Sequence, residues 1–153
     1  MSLYDVLANK HLTVSCAESC TGGLIGAEIT SAPGASSFFL GSAVTYANSA
    51  KENILKVPLG ILVRYGAVSA QTAACMADGA RRLYGSDIAV AVTGIAGPGG
   101  ATPDKPVGLV FIAVTSDAFS AVRRFDFSGD RETVRRHTVS AALGMLGEAA
   151  DTA

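Results

Sequence analysis

Charge is scarce in this chain. Asp, Glu, Lys and Arg together make up 16% of its 153 residues and leave a formal net charge of −1. The basic field that a nucleic-acid binder needs is missing, whereas a small anionic ligand held by one or two arginines suits the balance. Cysteine is scarce too. Three thiols leave one unpaired in any disulfide scheme, so a reducing, cytoplasmic setting is expected. Cys16 and Cys20, with Cys75 and the two histidines His11 and His137 elsewhere, supply no second close pair of zinc ligands. No metal and no cofactor is expected. No apolar run reaches bilayer-spanning length, and Met1-Ser2-Leu3-Tyr4-Asp5 lacks the basic-then-apolar order of a signal segment, so no membrane partner is expected either. Repeats, linkers and low-complexity stretches are absent. Apolar residues make up 49% of the chain, which favours a packed core over disorder. The length suits one domain, 1–153, burying roughly two-thirds of its unfolded surface.

What is present alternates between strand and helix. Ser2 opens a short helix over Leu3–Lys10, and the β-branched Thr13 and Val14 start a strand. Gly22–Ser31 reads as a helix with Leu24, Ile25 and Ile29 on one side, stopped by Pro33-Gly34. Phe38–Tyr46 is a second strand, Ser49 caps a short helix carrying Lys51, and Pro58 begins another piece that ends at Gly66. Ser69 and Gly85 bracket the clearest helix, Ala70–Tyr84. Its alanines Ala73, Ala74, Ala77 and Ala80 permit close helix packing, including between subunits, and a homo-oligomer (dimer or higher) is expected. Asp87–Thr93 is apolar enough for a central, covered strand. After a Gly/Pro loop, Val107–Thr115 and Phe119–Phe127 flank a hairpin-length connection. The last helix begins near Asp130 and turns Val134, Thr138, Ala141, Ala142, Met145 and Leu146 inward. This order predicts an α/β domain with helices on both faces of a mixed sheet.

Three polar clusters fall just beyond predicted strand ends: Glu18-Ser19-Cys20-Thr21, Thr45-Tyr46-Ala47-Asn48-Ser49-Ala50-Lys51 and Thr93-Gly94-Ile95-Ala96-Gly97-Pro98. In open α/β sheets the ligand crevice lies there. Ser19 stands at a strand-to-helix turn, where unpaired backbone N–H groups can stabilise an oxyanion; most serines before a helix, however, simply cap it. Neither histidine is well placed as its base. Lysine can serve instead if burial or a neighbouring cation leaves it neutral, although most lysines are solvated. Tyr46 can relay the proton or hold the amine, and Thr93 with the amides after it can orient the base or bind the oxyanion. Arg131, at the start of the last helix, joins a guanidinium to free N–H groups, an arrangement that suits phosphate. An Asp130 cap beside a solvated Arg131 accounts for the same residues, and both readings stand at this point.

The clusters occur in order with Gly66-Ala67-Val68-Ser69, Lys105-Pro106-Val107-Gly108 and Phe127-Ser128-Gly129-Asp130-Arg131. Together they closely resemble the CinA C-terminal domain family, the nicotinamide-nucleotide amidohydrolases, from about Leu3 to the last helix. The resemblance implies a three-layer α/β/α sandwich around a mixed, mostly parallel sheet of about five strands. It also implies deamidation of nicotinamide mononucleotide to nicotinic acid mononucleotide and ammonia, in pyridine-nucleotide salvage. Carried over by motif, the nucleophile falls on Ser19, the base on Lys51, the associated tyrosine on Tyr46 and the threonine on Thr93. The phosphate-facing arginine falls on Arg131; Thr21, Gly22, Asn48, Gly94 and Gly97 complete the expected substrate-binding set. Larger family members carry a further N-terminal domain with pyrophosphatase activity, which this sequence does not resemble. Two alternatives remain beside this reading: Cys20 as nucleophile, against which the family match weighs, and a non-catalytic nucleotide- or partner-binding module linked to competence or DNA damage.

Overall fold

The computed structural model describes residues 1–153. In chain order its elements are α1 (Leu3–Asn9), β1 (Val14–Glu18), α2 (Leu24–Thr30), a 3₁₀ turn (Ala35–Ser37), β2 (Phe39–Val44) and α3 (Asn48–Leu55). Then come α4 (Leu59–Tyr65), α5 (Ala70–Tyr84), β3 (Ile88–Gly94), β4 (Leu109–Thr115), β5 (Ser120–Asp126) and α6 (Arg131–Thr152). One five-stranded sheet runs in the order β2-β1-β3-β4-β5. β1 pairs parallel with β2 and with β3, while β4 is antiparallel to both of its neighbours. Only β4 therefore runs against the other four strands. β1 is buried along its whole length and β3 up to its last residue, as central strands covered on both faces must be.

Alternation along the strands sorts the core into two layers. Val14, Cys16, Ile88, Val90, Val92, Val110, Ile112 and Val114 pack with α1, α2 and α6. On the other face Ala43, Ala17, Ala91 and Ala113 stand in register across β2, β1, β3 and β4. This row of small side chains lets α5 lie close, and Ala73, Ala77 and Ala80 of α5 are buried in the same cluster. The alanine face of α5 thus packs within the chain, with Ala74 only half-buried. At Gly79 a β-carbon would collide with the Leu55 carbonyl at the end of α3, so the glycine brings these two helices together. No helix is long and apolar enough to cross a membrane.

Several element boundaries differ from the sequence reading. Gly22 and Gly23 adopt φ of +58° and +109°, a left-handed path that helix geometry excludes, so α2 starts at Leu24. Ser49 is not a cap: α3 starts at Asn48, with Ala47 before it and no side-chain capping bond. β4 starts at Leu109 because Gly108 turns the chain at φ +91°. Ala141 is half-buried, and Ala149 and Ala150 extend the inward face of α6. Asp130, Ser69 and Ser2 do cap their helices.

Candidate active site

The carboxyl ends of β1, β2 and β3 lie side by side, which brings the three polar clusters together. They line one cavity of about 200 Å³ whose polar wall is Ser19, Cys20, Tyr46, Lys51, Thr93 and Arg131, completed by Ala67, Val68, Gly94 and Ala96.

The turn that presents Ser19 is built on Glu18, whose side chain is fully buried. Its Oε1 accepts from the Thr21 hydroxyl (2.7 Å) and from the amides of Gly23 (3.2 Å) and Ile25 (2.8 Å). Its Oε2 accepts from the Gly26 amide (3.1 Å) and the Ser42 hydroxyl (2.5 Å). The carboxylate therefore supplies the acceptors that the first turn of α2 lacks, and the N-terminal dipole of that helix favours a negative group there. Glu18 occupies itself wholly on the α2 side. Ser19, the next residue, faces the cavity instead. Its N–H donates to Val92 O (3.2 Å), and its carbonyl accepts from the Gly22 N–H (3.1 Å), which closes the turn. No acceptor on another residue takes the N–H of Cys20 or of Thr21.

Lys51, on α3, reaches the same point and is the largest fully buried side chain in the protein, 1% exposed. Its Nζ lies 3.0 Å from Ser19 Oγ, 2.8 Å from Thr45 O and 2.9 Å from Tyr46 O. None of the ion pairs in the structure includes it. Burial without a carboxylate penalises the charged form, and the amine is lowered from its ordinary 10.5 to about 8. The coordination suits either state. Protonated, the ammonium donates to all three oxygens. Neutral, its two N–H bonds go to the two carbonyls and the lone pair is left for the serine hydroxyl. Burial also pushes the Cys20 thiol up to about 11, so at neutral pH it carries its proton and is a poor nucleophile.

The rim is set by longer-range ties. Thr93 Oγ1 donates to Ala67 O (2.8 Å), pinning the α4–α5 connection to the end of β3. Lys105 Nζ donates to Tyr65 O (2.6 Å) just before the same connection. Arg131 donates to Gly97 O (2.8 Å) and, at 3.4 Å, to the Tyr46 hydroxyl. Arg131 is thus held at the cavity mouth, beside an Asp130 that does cap α6. Tyr46 is 62% exposed; it holds the lysine through its backbone carbonyl while its hydroxyl turns toward Arg131.

Of the residues singled out from sequence, Ser19, Lys51, Tyr46, Thr93, Gly94 and Arg131 come together on the cavity, and Gly97 joins them through its carbonyl. Thr21 is fully buried with its hydroxyl on Glu18, Gly22 shapes the turn, and Asn48 is exposed at the start of α3; none of these three lines the cavity. Glu18 was named from sequence only as a member of its cluster, with no role, and Arg135 was not named. Arg135 donates to Cys20 O (3.1 Å) and Thr21 O (3.3 Å). An available signal was the spacing of Arg131 and Arg135, four residues apart and so on one helix face. Cys16, Cys20 and Cys75 are free thiols, and no three His, Cys, Asp or Glu side chains cluster as metal ligands.

With this geometry in place, the similarities to known proteins are specific. The sequence model of the CinA C-terminal domain matches residues 1–150. A CinA-like protein of Geobacter metallireducens is 54% identical over 135 residues, covering 88% of this chain and 33% of that protein. The chain spans about a third of the length of the curated relatives it matches. Among solved structures, the competence/damage inducible protein CihA from Agrobacterium tumefaciens superposes with a TM-score of 0.93 at 42% identity, covering 97% of this chain and 90% of the other. A CinA superfamily protein from Klebsiella pneumoniae gives a TM-score of 0.93 at 33% identity, with 97% and 93% covered. The three-layer α/β architecture is the one these neighbours share. The chain belongs to the CinA C-terminal domain family.

Proposed function

We propose that the protein is an amidohydrolase that converts nicotinamide mononucleotide to nicotinic acid mononucleotide and ammonia, a step of pyridine-nucleotide salvage. The observation that carries this reading is the buried Lys51 amine, 3.0 Å from Ser19 Oγ and lowered to about 8. At pH 7 about one molecule in ten then holds a free amine, against fewer than about one in a thousand for an ordinary lysine. Ser19 Oγ attacks the carboxamide carbon as its proton passes to Lys51 Nζ. The oxyanion is received by the backbone amide of Cys20, which lines the cavity and donates to no other residue. As the tetrahedral intermediate collapses, the lysine returns the proton to the departing ammonia. Water then repeats the sequence on the nicotinoyl ester and restores Ser19.

The cavity encloses the pyridine ring and its carboxamide, while the ribose phosphate reaches Arg131 at the mouth. The relatives' names speak of competence and damage induction, which invites a binding role without chemistry. A pure binder gains nothing from a dehydrated lysine against a serine, since burying that amine costs stability. The experiment is ammonia release from nicotinamide mononucleotide by the purified protein. Saturable release, lost in Ser19→Ala, supports the amidase; tight nucleotide binding with no release would establish the binding module instead.

A further inference from the structure

Thr93 closes the flank of Ser19 opposite Lys51, and what it offers the cavity is a hydrogen-bond acceptor. β1 and β3 pair Ala17 with Ala91 and Glu18 with Val92, and Ser19 N–H carries the ladder on to Val92 O. Ser19 and Thr93 are therefore the next pair, with their backbones about 5 Å apart across parallel strands. Ala17 and Ala91 both pack in the layer of α5, so by the period of two Ser19 and Thr93 point to that same side. Both line the cavity. Lys51 reaches Ser19 from the β2 side, where it also holds Thr45 O and Tyr46 O, and β2 and β3 flank β1. The serine thus stands between an amine and a threonine hydroxyl.

A hydroxyl has one proton and two lone pairs. The Thr93 proton is spent on Ala67 O at 2.8 Å, and no other group donates to that carbonyl. Turning the proton toward a ligand would strand Ala67 O without a donor, a cost that holds the hydroxyl as it is. Thr93 Oγ1 is therefore not a donor to an oxyanion, and no group of the protein donates to it. The other oxygens around Ser19 are committed: Thr45 O and Tyr46 O to Lys51, Gly97 O to Arg131, and the Glu18 carboxylate to the start of α2. Thr93 is 1% exposed, and its free lone pairs beside the nucleophile call for a ligand that donates.

We propose that Thr93 Oγ1 accepts from the NH2 of the substrate's carboxamide and so selects a primary amide over groups of the same shape that have no N–H. The inference rests on the amidohydrolase reading and adds how that site recognises an amide. The carbonyl oxygen is left to the Cys20 N–H, so only one of the two flipped orientations of the carboxamide fits. The deamidated product has only acceptors at that group and loses the contact.

The test is calorimetric binding to the full chain carrying Ser19→Ala, which has no nucleophile. Two probes differ only at the group in question: nicotinamide mononucleotide, and 3-acetylpyridine mononucleotide, in which a methyl group replaces NH2. Ser19→Ala is expected to bind the amide about tenfold more tightly than the ketone. Adding Thr93→Val keeps the side-chain shape and removes the oxygen, and should bring the two ligands within about twofold by weakening the amide alone. Thr93→Ser in the same background should keep the preference. If Thr93→Val weakens both ligands alike, the threonine only braces the Ala67 wall and the proposal is overturned. Absence of any amide preference in Ser19→Ala overturns it as well, and that ratio decides should Thr93→Val fail to fold. Ammonia release by wild type is scored separately. Release without an amide preference keeps the amidase and removes the Thr93 contact; preference without release does the reverse; no binding of either ligand removes both.

Discussion

The two sides of the sheet handle charge in opposite ways. Beside β5, Arg123 meets Glu148 at 2.6 Å and Arg124 meets Asp126 at 3.1 Å, all with side chains open to solvent. At the carboxyl ends of β1 and β2, Glu18 and Lys51 are 0% and 1% exposed and do not pair with each other. Exposed pairs are screened by water and salt and contribute little. Buried charges act strongly on whatever surrounds them, so their partners decide their chemistry. An ion pair between Glu18 and Lys51 would hold the amine charged and disable it as a base. Instead Glu18 spends its oxygens on the α2 layer, and Lys51 arrives from the α3 layer among neutral oxygens. Separation of the two charges keeps the amine near its titration point at physiological pH.

The contrast breaks most visibly if the buried side is disarmed. Ser19→Ala is expected to lower kcat on nicotinamide mononucleotide by several orders of magnitude, and Lys51→Arg to be nearly inactive because guanidinium cannot accept the serine proton. Cys20→Ala should keep substantial turnover; steady-state ammonia release measures all three, and near-normal turnover in Lys51→Arg would remove the lysine from the mechanism.

A smaller but still large effect is expected at the mouth. Losing a charge-assisted contact to phosphate costs about 1.5–3 kcal/mol, roughly ten- to a hundredfold in affinity. Arg131→Ala should therefore raise KM for nicotinamide mononucleotide far more than for nicotinamide riboside. Equal losses on both substrates would show that the arginine acts by bracing Gly97 and Tyr46.

Titration sharpens the comparison further. The rate should rise with pH through an ionisation near 8, as Lys51 loses its proton. Stability carries the same signature. Below pH 8 both folded and unfolded chains hold the lysine proton, and burial of the ammonium costs about 3 kcal/mol. Between about 8 and 10.5 the folded chain has released the proton while the unfolded chain still binds it, so wild type gains stability as pH rises. Lys51→Met should lack that gain, and urea midpoints of the two proteins across this window would measure it; parallel pH curves would contradict the lowered amine.

The smallest effect belongs to the solvent side. Arg123→Ala breaks the shortest ion pair, to Glu148, and is expected to leave kcat, KM and the unfolding midpoint unresolvably changed. A clear loss of stability there would mean that the two sides of the sheet are less different than their exposure implies.

The order and type of the elements were legible in the sequence because they depend on local physics. An unbroken apolar run marked β3, Ser69 and Gly85 bracketed α5, and Gly/Pro punctuation marked the turns. The candidate site was legible as three short clusters at strand ends, and family resemblance named the residues expected in it, of which Thr21, Gly22 and Asn48 lie off the cavity. Four features were decided only by tertiary structure. Lys51 is dehydrated because the turns after β1 and β2 close around its amine, and burial is a property of the whole chain. Tyr46 serves Lys51 with its carbonyl and leaves its hydroxyl to Arg131, a choice between atoms of one residue that no spacing encodes. Thr21 turns inward because the fully buried Glu18 needs donors. Arg135 meets Cys20 across 115 residues of sequence, a contact that exists only once α6 has docked beside the start of α2. Periodicity and capping are written in neighbouring residues, whereas hydrogen-bond partners and solvation are set by which distant segments pack together.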